Sequence, residues 1–165
     1  MKPFVLELLI CPKCLPQEFP LHPHDLEIVQ RDIVSGELKC LNCDHSYPIR
    51  EGIACLTRTG RTDERAPSKY ETPSVLASYL WSHYGDLLND PDASQAYGEW
   101  AALVKPTPGL GIDIGAAVGR FSFEMGHKCQ KVLGIDNSYS FVKAARELLL
   151  TGQIQIALPM EGRLS

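Results

Sequence analysis

The 165-residue sequence carries 16 basic and 20 acidic residues, a formal charge of −4, and is 44% hydrophobic and 22% charged. These are the proportions of a soluble globular chain with enough apolar residues for a core, in one ordinary domain or two small ones. The charge is spread evenly, with 6 basic and 8 acidic residues in 1–60 against 10 and 12 in 61–165, so no basic face argues for nucleic acid.

The opening stretch "MKPFVLELLICPKC" has a seven-residue apolar run, Phe4 to Ile10, interrupted by Glu7. It leads into a cysteine pair rather than a small-residue cleavage site, which argues against a signal peptide. No stretch approaches the ~20 apolar residues that span a bilayer. The expected compartment is the cytoplasm, where thiols stay reduced and paired cysteines hold metal more often than disulfides.

Four of the six cysteines form two matched pairs, Cys11 and Cys14 in "CPKC" and Cys40 and Cys43 in "CLNC", separated by 25 residues. Two residues between thiols let a tight turn aim both sulfurs at one ion, and two such knuckles supply the four thiolates that tetrahedral zinc prefers. The intervening "DLEIVQRDIVSGELKC" alternates like a hairpin turning at Ser35-Gly36, which brings the pairs together as a zinc ribbon. Two disulfides or a redox-active pair are the alternatives; a redox motif needs one pair, not two. With four thiols in place His45 is expected to be an exposed bystander, and His22 and His24 belong to a Pro-rich loop. Four protein ligands leave no open position, so this zinc folds its module rather than catalyses. Cys55 and Cys129 read as small buried hydrophobes.

"LELLICPKC" and "YPIREGIACL" (47–56) together resemble the zinc-ribbon family of methyltransferase activator subunits and its stand-alone bacterial relatives. The resemblance covers about residues 1–57: an apolar turn into a C-P-x-C knuckle, then a Tyr-Pro-Ile hairpin around Glu51-Gly52. It departs from the family in the insert "LPQEFPLHPHD". What it implies is a module that docks onto a methyltransferase and stabilises it.

Residues 58–72 are polar, carry Gly60 and Pro67, and read as a linker. Thr72 then caps a helix with Pro73 in its first turn and Val75, Leu76, Tyr79, Leu80 and Tyr84 on one face. A second helix is expected from Asp90-Pro91 to Pro106, with Tyr97, Trp100 and Val104 in an apolar stripe. Such stripes read as core; a cofactor pocket lined by Trp81 or Tyr84 is the alternative.

"GLGIDI" (109–114) suits a buried parallel strand, "GAAVGR" a turn, and the residues after it a helix ending at Gly126. "KVLGID" (131–136) is a second strand, followed by a helix capped by Ser138 and running to Leu150, with Phe141, Ala145, Leu148 and Leu149 inward. This is a strand–helix succession of a doubly wound sheet. The dinucleotide fingerprint and the phosphate loop both fail here, since neither frame places the required glycines or Lys-Ser/Thr. The acidic-x-G-x-G-x-G pattern at Asp113, Gly115, Ala117 and Gly119 instead resembles the first motif of S-adenosylmethionine-dependent methyltransferases. Asp136 lies 21 residues past Gly115. The resemblance assigns Asp113, Gly115, Ala117 and Gly119 to the methionine part of S-adenosylmethionine and Asp136 to its ribose, with Ala117 departing from the usual glycine. A tight turn with no ligand is the alternative.

The expected architecture is therefore α/β. A zinc-ribbon β domain over 1–57 and a linker over 58–72 precede a helical lead-in and the first half of a doubly wound methyltransferase domain over 73–165. A third strand is expected at "QIQIAL" (153–158). The sheet is incomplete, so the chain alone is expected to be inactive, either as the front of a longer enzyme or with its sheet completed by another chain. The sequence points to no catalytic residue and no methyl acceptor. The leading reading is a methyltransferase-family protein with a fused zinc ribbon. The alternative is a non-catalytic adaptor whose ribbon docks onto a separate methyltransferase.

Overall fold

The computed structural model describes residues 1–57 and 68–155. The chain divides into two compact units, one within 1–66 and the other within 67–165. Among the described residues no helix is long and apolar enough to cross a membrane.

In the first unit four antiparallel strands lie in sequence order: β1 (Leu21–Val29), β2 (Asp32–Cys40), β3 (Ser46–Arg50) and β4 (Ile53–Ala54). The β1–β2 hairpin turns at Gln30 and Arg31 rather than at Ser35-Gly36. Both turn residues are left-handed, with φ of 49° and 67°, which lets a two-residue turn match the strands' twist. Gly36 sits inside β2 opposite an irregularity in β1, at φ +139°, where a Cβ would lie 2.7 Å from Leu26 Cδ2. Its missing side chain makes room for the bulge. His22 and His24 are in β1, not in a loop. Alternation in β2 and β3 turns Leu38, Cys40, Tyr47 and Ile49 inward, where Val5, Leu21 and Ile33 join them. Glu51 and Gly52, both at positive φ, turn β3 into β4 as expected.

The second unit holds α1 (Pro73–Tyr84), α2 (Ala96–Leu103), α3 (Arg120–Gly126) and α4 (Tyr139–Thr151) with a parallel pair, β5 (Thr107–Ile114) and β6 (Cys129–Ile135). Its core gathers Leu80, Ala117, Val118, Phe141 and Ala144, ringed by Tyr70, Val75, Leu76, Tyr79, Tyr84, Leu148 and Ile154. The aromatic residues of α1 therefore serve packing: the Tyr79 and Phe141 rings lie 4.4 Å apart. Trp81 is more exposed and donates to Asp90 Oδ2 at 2.7 Å.

Several local expectations change. Asp90 Oδ1 accepts from the backbone N–H of Asp92, a local bond that competes with helix formation, and α2 starts only at Ala96. Thr72 precedes α1, but its hydroxyl donates back to the carbonyl of Lys69 instead of capping. Ser138 does cap α4, accepting from Phe141 N at 3.2 Å. Leu149 faces out, 63% exposed, and Ala144 takes an inward position. Residues 58–67 of the expected linker lie outside the described residues. Its end does not behave as a connection: Lys69–Glu71 form a 3-10 turn, and the Glu71 carboxylate accepts from the N–H groups of Tyr139 and Ser140 and from Ser140 Oγ. A negative group at a helix N-terminus meets unpaired N–H donors and the positive end of the dipole. The expected third strand lies partly outside the described residues, and residues 153–155 form no strand.

Candidate metal centre and glycine turn

The first knuckle is a 3-10 turn, Pro12–Cys14, closed by Cys14 N donating to the carbonyl of Cys11 at 3.2 Å. Cys11 is tied to the strand side by its own N–H, which donates to the carbonyl of Phe19 at 2.8 Å. The second knuckle leaves the end of β2: Cys40 N donates to the carbonyl of His45, and Asp44 N to that of Cys40, both at 2.9 Å. Asp44 takes the left-handed conformation this tight return needs, at φ 58°. The hairpin thus brings two turns, distant in sequence, to one place.

The four sulfurs lie within 4.8 Å of one another, and all six cysteines of the chain are free thiols. Across the knuckles, Cys11 Sγ is 3.7 Å from Cys43 Sγ and Cys14 Sγ is 3.7 Å from Cys40 Sγ. Four sulfurs at ~2.3 Å around a tetrahedral ion stand about 3.8 Å apart, so the spacing fits zinc. Cys11 and Cys40 are buried; Cys14 and Cys43 are half-buried.

Burial works to raise the Cys11 pKa, yet hydrogen bonds from Tyr47 and the Cys14 backbone outweigh it and bring it down to about 6. Cys14 is pushed up to about 12: Asn42 favours its thiolate, but burial and the three neighbouring thiols together oppose it. Crowded thiols cannot all ionise without a cation. A divalent ion displaces those protons, and its binding then contributes folding free energy.

Around the sulfurs, the hydroxyl of Tyr47 is 3.3 Å from Cys11 Sγ and accepts from Lys13 N at 3.3 Å. Asn42 Nδ2 donates to Cys14 Sγ at 3.4 Å. His45 is half-buried rather than exposed: its ring meets Tyr47 edge-on at 4.7 Å, and its buried Nε2 has no hydrogen-bond partner. It stands outside the four-sulfur group. Cys55 is buried as expected, and burial pushes its thiol pKa up. Cys129 is only half-buried.

In the second unit β5 and β6 are adjacent and parallel, with Asp113 opposite Gly134 and Ile114 opposite Ile135. Asp113 and Asp136 therefore stand at neighbouring strand tips. Their carboxylates engage different elements. Asp113 Oδ2 accepts from Ser122 Oγ of α3 at 2.7 Å. Asp136 accepts from Ala117 N at 2.9 Å through Oδ2 and from Ser138 N at 2.8 Å through Oδ1. Both oxygens of the expected ribose ligand thus brace backbone turns.

The three small residues of the turn have three different settings. Gly115, at φ +82°, faces open space. Ala117 adopts φ 46° and is buried in the core cluster. Gly119, at φ +87°, leads into α3, and a Cβ there would lie 2.8 Å from Ala145 Cβ and 3.2 Å from Phe123 Cζ. Its missing side chain leaves room for α4 to pack. Gly119→Ala should cost about 3 kcal/mol, a left-handed penalty of roughly 1–2 plus overpacking of similar size. Gly115→Ala carries the backbone penalty alone and should cost about 1–2 kcal/mol. Urea melts of the two variants check the difference.

Sequence reasoning missed Tyr47 and Asn42, which lie in the recognised ribbon motifs but read there as fold signals. It also passed over Arg120, which is 4% exposed. Arg120 donates from Nη1 and Nη2 to the two oxygens of Asp86 at 2.5 and 3.0 Å, from Nη1 to the carbonyl of His83 at 2.9 Å, and from Nε to Glu124 Oε1 at 3.1 Å. No periodicity or spacing links residues 34 positions apart, so nothing in the sequence could have paired Asp86 with Arg120.

No curated protein matches the chain. A four-sulfur cluster at tetrahedral spacing, built on two C-x-x-C knuckles at the ends of an antiparallel hairpin, is the mark of a zinc ribbon, and residues 2–52, which contain all four cysteines, match the family model for Trm112p-like proteins.

Proposed function

We propose that the chain is a zinc-ribbon adaptor of the methyltransferase-activator type, which docks onto a separate methyltransferase through its first unit. The observation that carries this reading is the coincidence of the Trm112p-like match with the four-sulfur cluster. Cys11, Cys14, Cys40 and Cys43 would hold the zinc, and what the ion supplies is folding free energy. All four positions of a tetrahedral shell are then taken by protein, which leaves no place for water or substrate. The chain's part is to present a fixed surface. Affinity capture with the metal-loaded chain tests this. A methyltransferase should be retained stoichiometrically, lose stability or activity when separated, and escape a Cys11→Ser bait. Retention of no methyltransferase by the loaded chain would contradict the reading.

A second reading is favoured by one observation, the parallel β5–β6 pair with Asp113 and Asp136 at adjacent tips. In it, residues 73–165 are a partial methyltransferase domain in which Asp113, Gly115, Ala117 and Gly119 face the methionine part of S-adenosylmethionine and Asp136 its ribose. Each Asp136 oxygen already accepts one backbone N–H and keeps a lone-pair site that would accept a ribose hydroxyl. Calorimetry with S-adenosylmethionine separates the readings: micromolar binding by the isolated chain favours the second, and no measurable heat favours the adaptor.

A further inference from the structure

We infer that Tyr47 and Asn42 are positioning residues of the metal centre, and that they make its first knuckle the more firmly held half. The inference rests on the metal reading above and concerns what surrounds the sulfurs. Four thiolates carry more negative charge than one divalent ion neutralises, so the occupied centre is a dianionic cluster. Cys11 and Cys40 place part of that charge where water cannot reach it. Buried charge is costly unless hydrogen-bond donors disperse it.

Two side chains meet that need, and both serve the first knuckle. The Tyr47 hydroxyl is fully buried and has one proton to give. Its oxygen already accepts the Lys13 N–H, so the proton is left to point at Cys11 Sγ, 3.3 Å away. Asn42 lies between the cysteines of the second knuckle but sends its amide across to Cys14 Sγ in the first, at 3.4 Å. Among the described residues, the only side chains that reach Cys40 or Cys43 Sγ in the same way are the neighbouring thiols. A donor to a metal-bound thiolate withdraws electron density from sulfur and fixes the side chain's rotamer. Loss of such a partner typically weakens metal binding by about 10–100-fold. Asn42 also links the two knuckles directly, so it holds them in register while the ion enters.

The experiment uses the full chain loaded with zinc or with cobalt(II), comparing wild type with Tyr47→Phe and Asn42→Ala. Competition with a chromogenic chelator should show each variant losing zinc affinity by about 10-fold or more. The sulfur-to-cobalt charge-transfer bands should move to lower energy, because a thiolate stripped of its donor is easier to oxidise. A merely structural role would leave those bands in place. Tyr47→Phe takes the acceptor from the Lys13 N–H and a hydroxyl from the core, and could unfold the ribbon; Asn42 is exposed, so Asn42→Ala decides the matter in that event. Variants with wild-type affinity and unshifted bands would overturn the inference while leaving the metal centre intact. A wild-type chain that takes up neither metal would overturn both.

Discussion

Replacing Cys11 with serine should abolish stoichiometric zinc binding and unfold the first unit at neutral pH. The apolar core available to that unit is small: Val5, Leu21, Ile33, Leu38, Tyr47 and Ile49 are its main buried members outside the cysteines. Units of this size bury too little surface to be secure by hydrophobic burial alone. Zinc held by four thiolates contributes on the order of 10–16 kcal/mol at neutral pH, which exceeds the whole stability of most small domains. Cys11 is also the sulfur that lies 3.3 Å from the buried Tyr47 hydroxyl, so its loss disturbs that contact as well. Amide NMR dispersion over residues 1–57 and metal content report the effect together. A strong chelator applied to the wild type should reproduce it. A dispersed spectrum from metal-free Cys11→Ser would show that the ribbon stands on its core instead.

Arg120→Met should destabilise the second unit by about 3–5 kcal/mol, the usual consequence of leaving one half of a buried ion pair behind. The guanidinium and the Asp86 carboxylate are both largely shielded from water, with side-chain exposures of 5% and 13%. Removing the cation also strands the carbonyl of His83, which accepts from it. Both tryptophans of the chain, Trp81 and Trp100, lie in this unit, so fluorescence melts follow it without interference from the ribbon. The same melts should weaken with acid. The hydrogen bonds from Arg120 hold the Asp86 carboxyl below its usual range, so its contribution is present above about pH 3.9 and is lost as pH falls through the lowered value. Burial, helped by Arg120, pulls His83 down to about 4. The folded unit therefore refuses a proton that the unfolded chain accepts near pH 6.5, and stability declines from about 6.5 toward 4. A loss below about 1 kcal/mol for Arg120→Met would mean the pair is solvated.

What the sequence made legible was whatever a short window encodes. The C-x-x-C spacing announced that sulfurs would converge, and the Tyr-Pro-Ile segment announced the β3–β4 hairpin, because both depend on local turn geometry. Apolar runs at 109–114 and 131–136 announced two parallel strands, but not their exposure: Ile112, Ile114 and Ile135 are exposed where buried strands were expected. The hairpin turn was misplaced because Ser35-Gly36 looks like better turn chemistry than Gln30-Arg31. Register with β2 and the fixed position of Cys40 decide otherwise, and they force two ordinary residues into left-handed backbone. At Gly119 the glycine turn was legible, but the packing that also demands its bareness, against Ala145 on a helix 26 positions away, was not. Glu71 looked like linker charge until α4 arrived to be capped. For Gly119 and Glu71 the deciding partner comes from far along the chain.

The account turns most on a closed shell of four sulfurs, and X-ray absorption at the zinc edge of the purified 165-residue chain measures that shell directly. The expected result is one zinc per chain surrounded by four sulfurs at about 2.3 Å. A shell of three or fewer sulfurs completed by nitrogen or oxygen at about 2.0 Å would instead reveal an open site, and with it a chain built for chemistry rather than for docking.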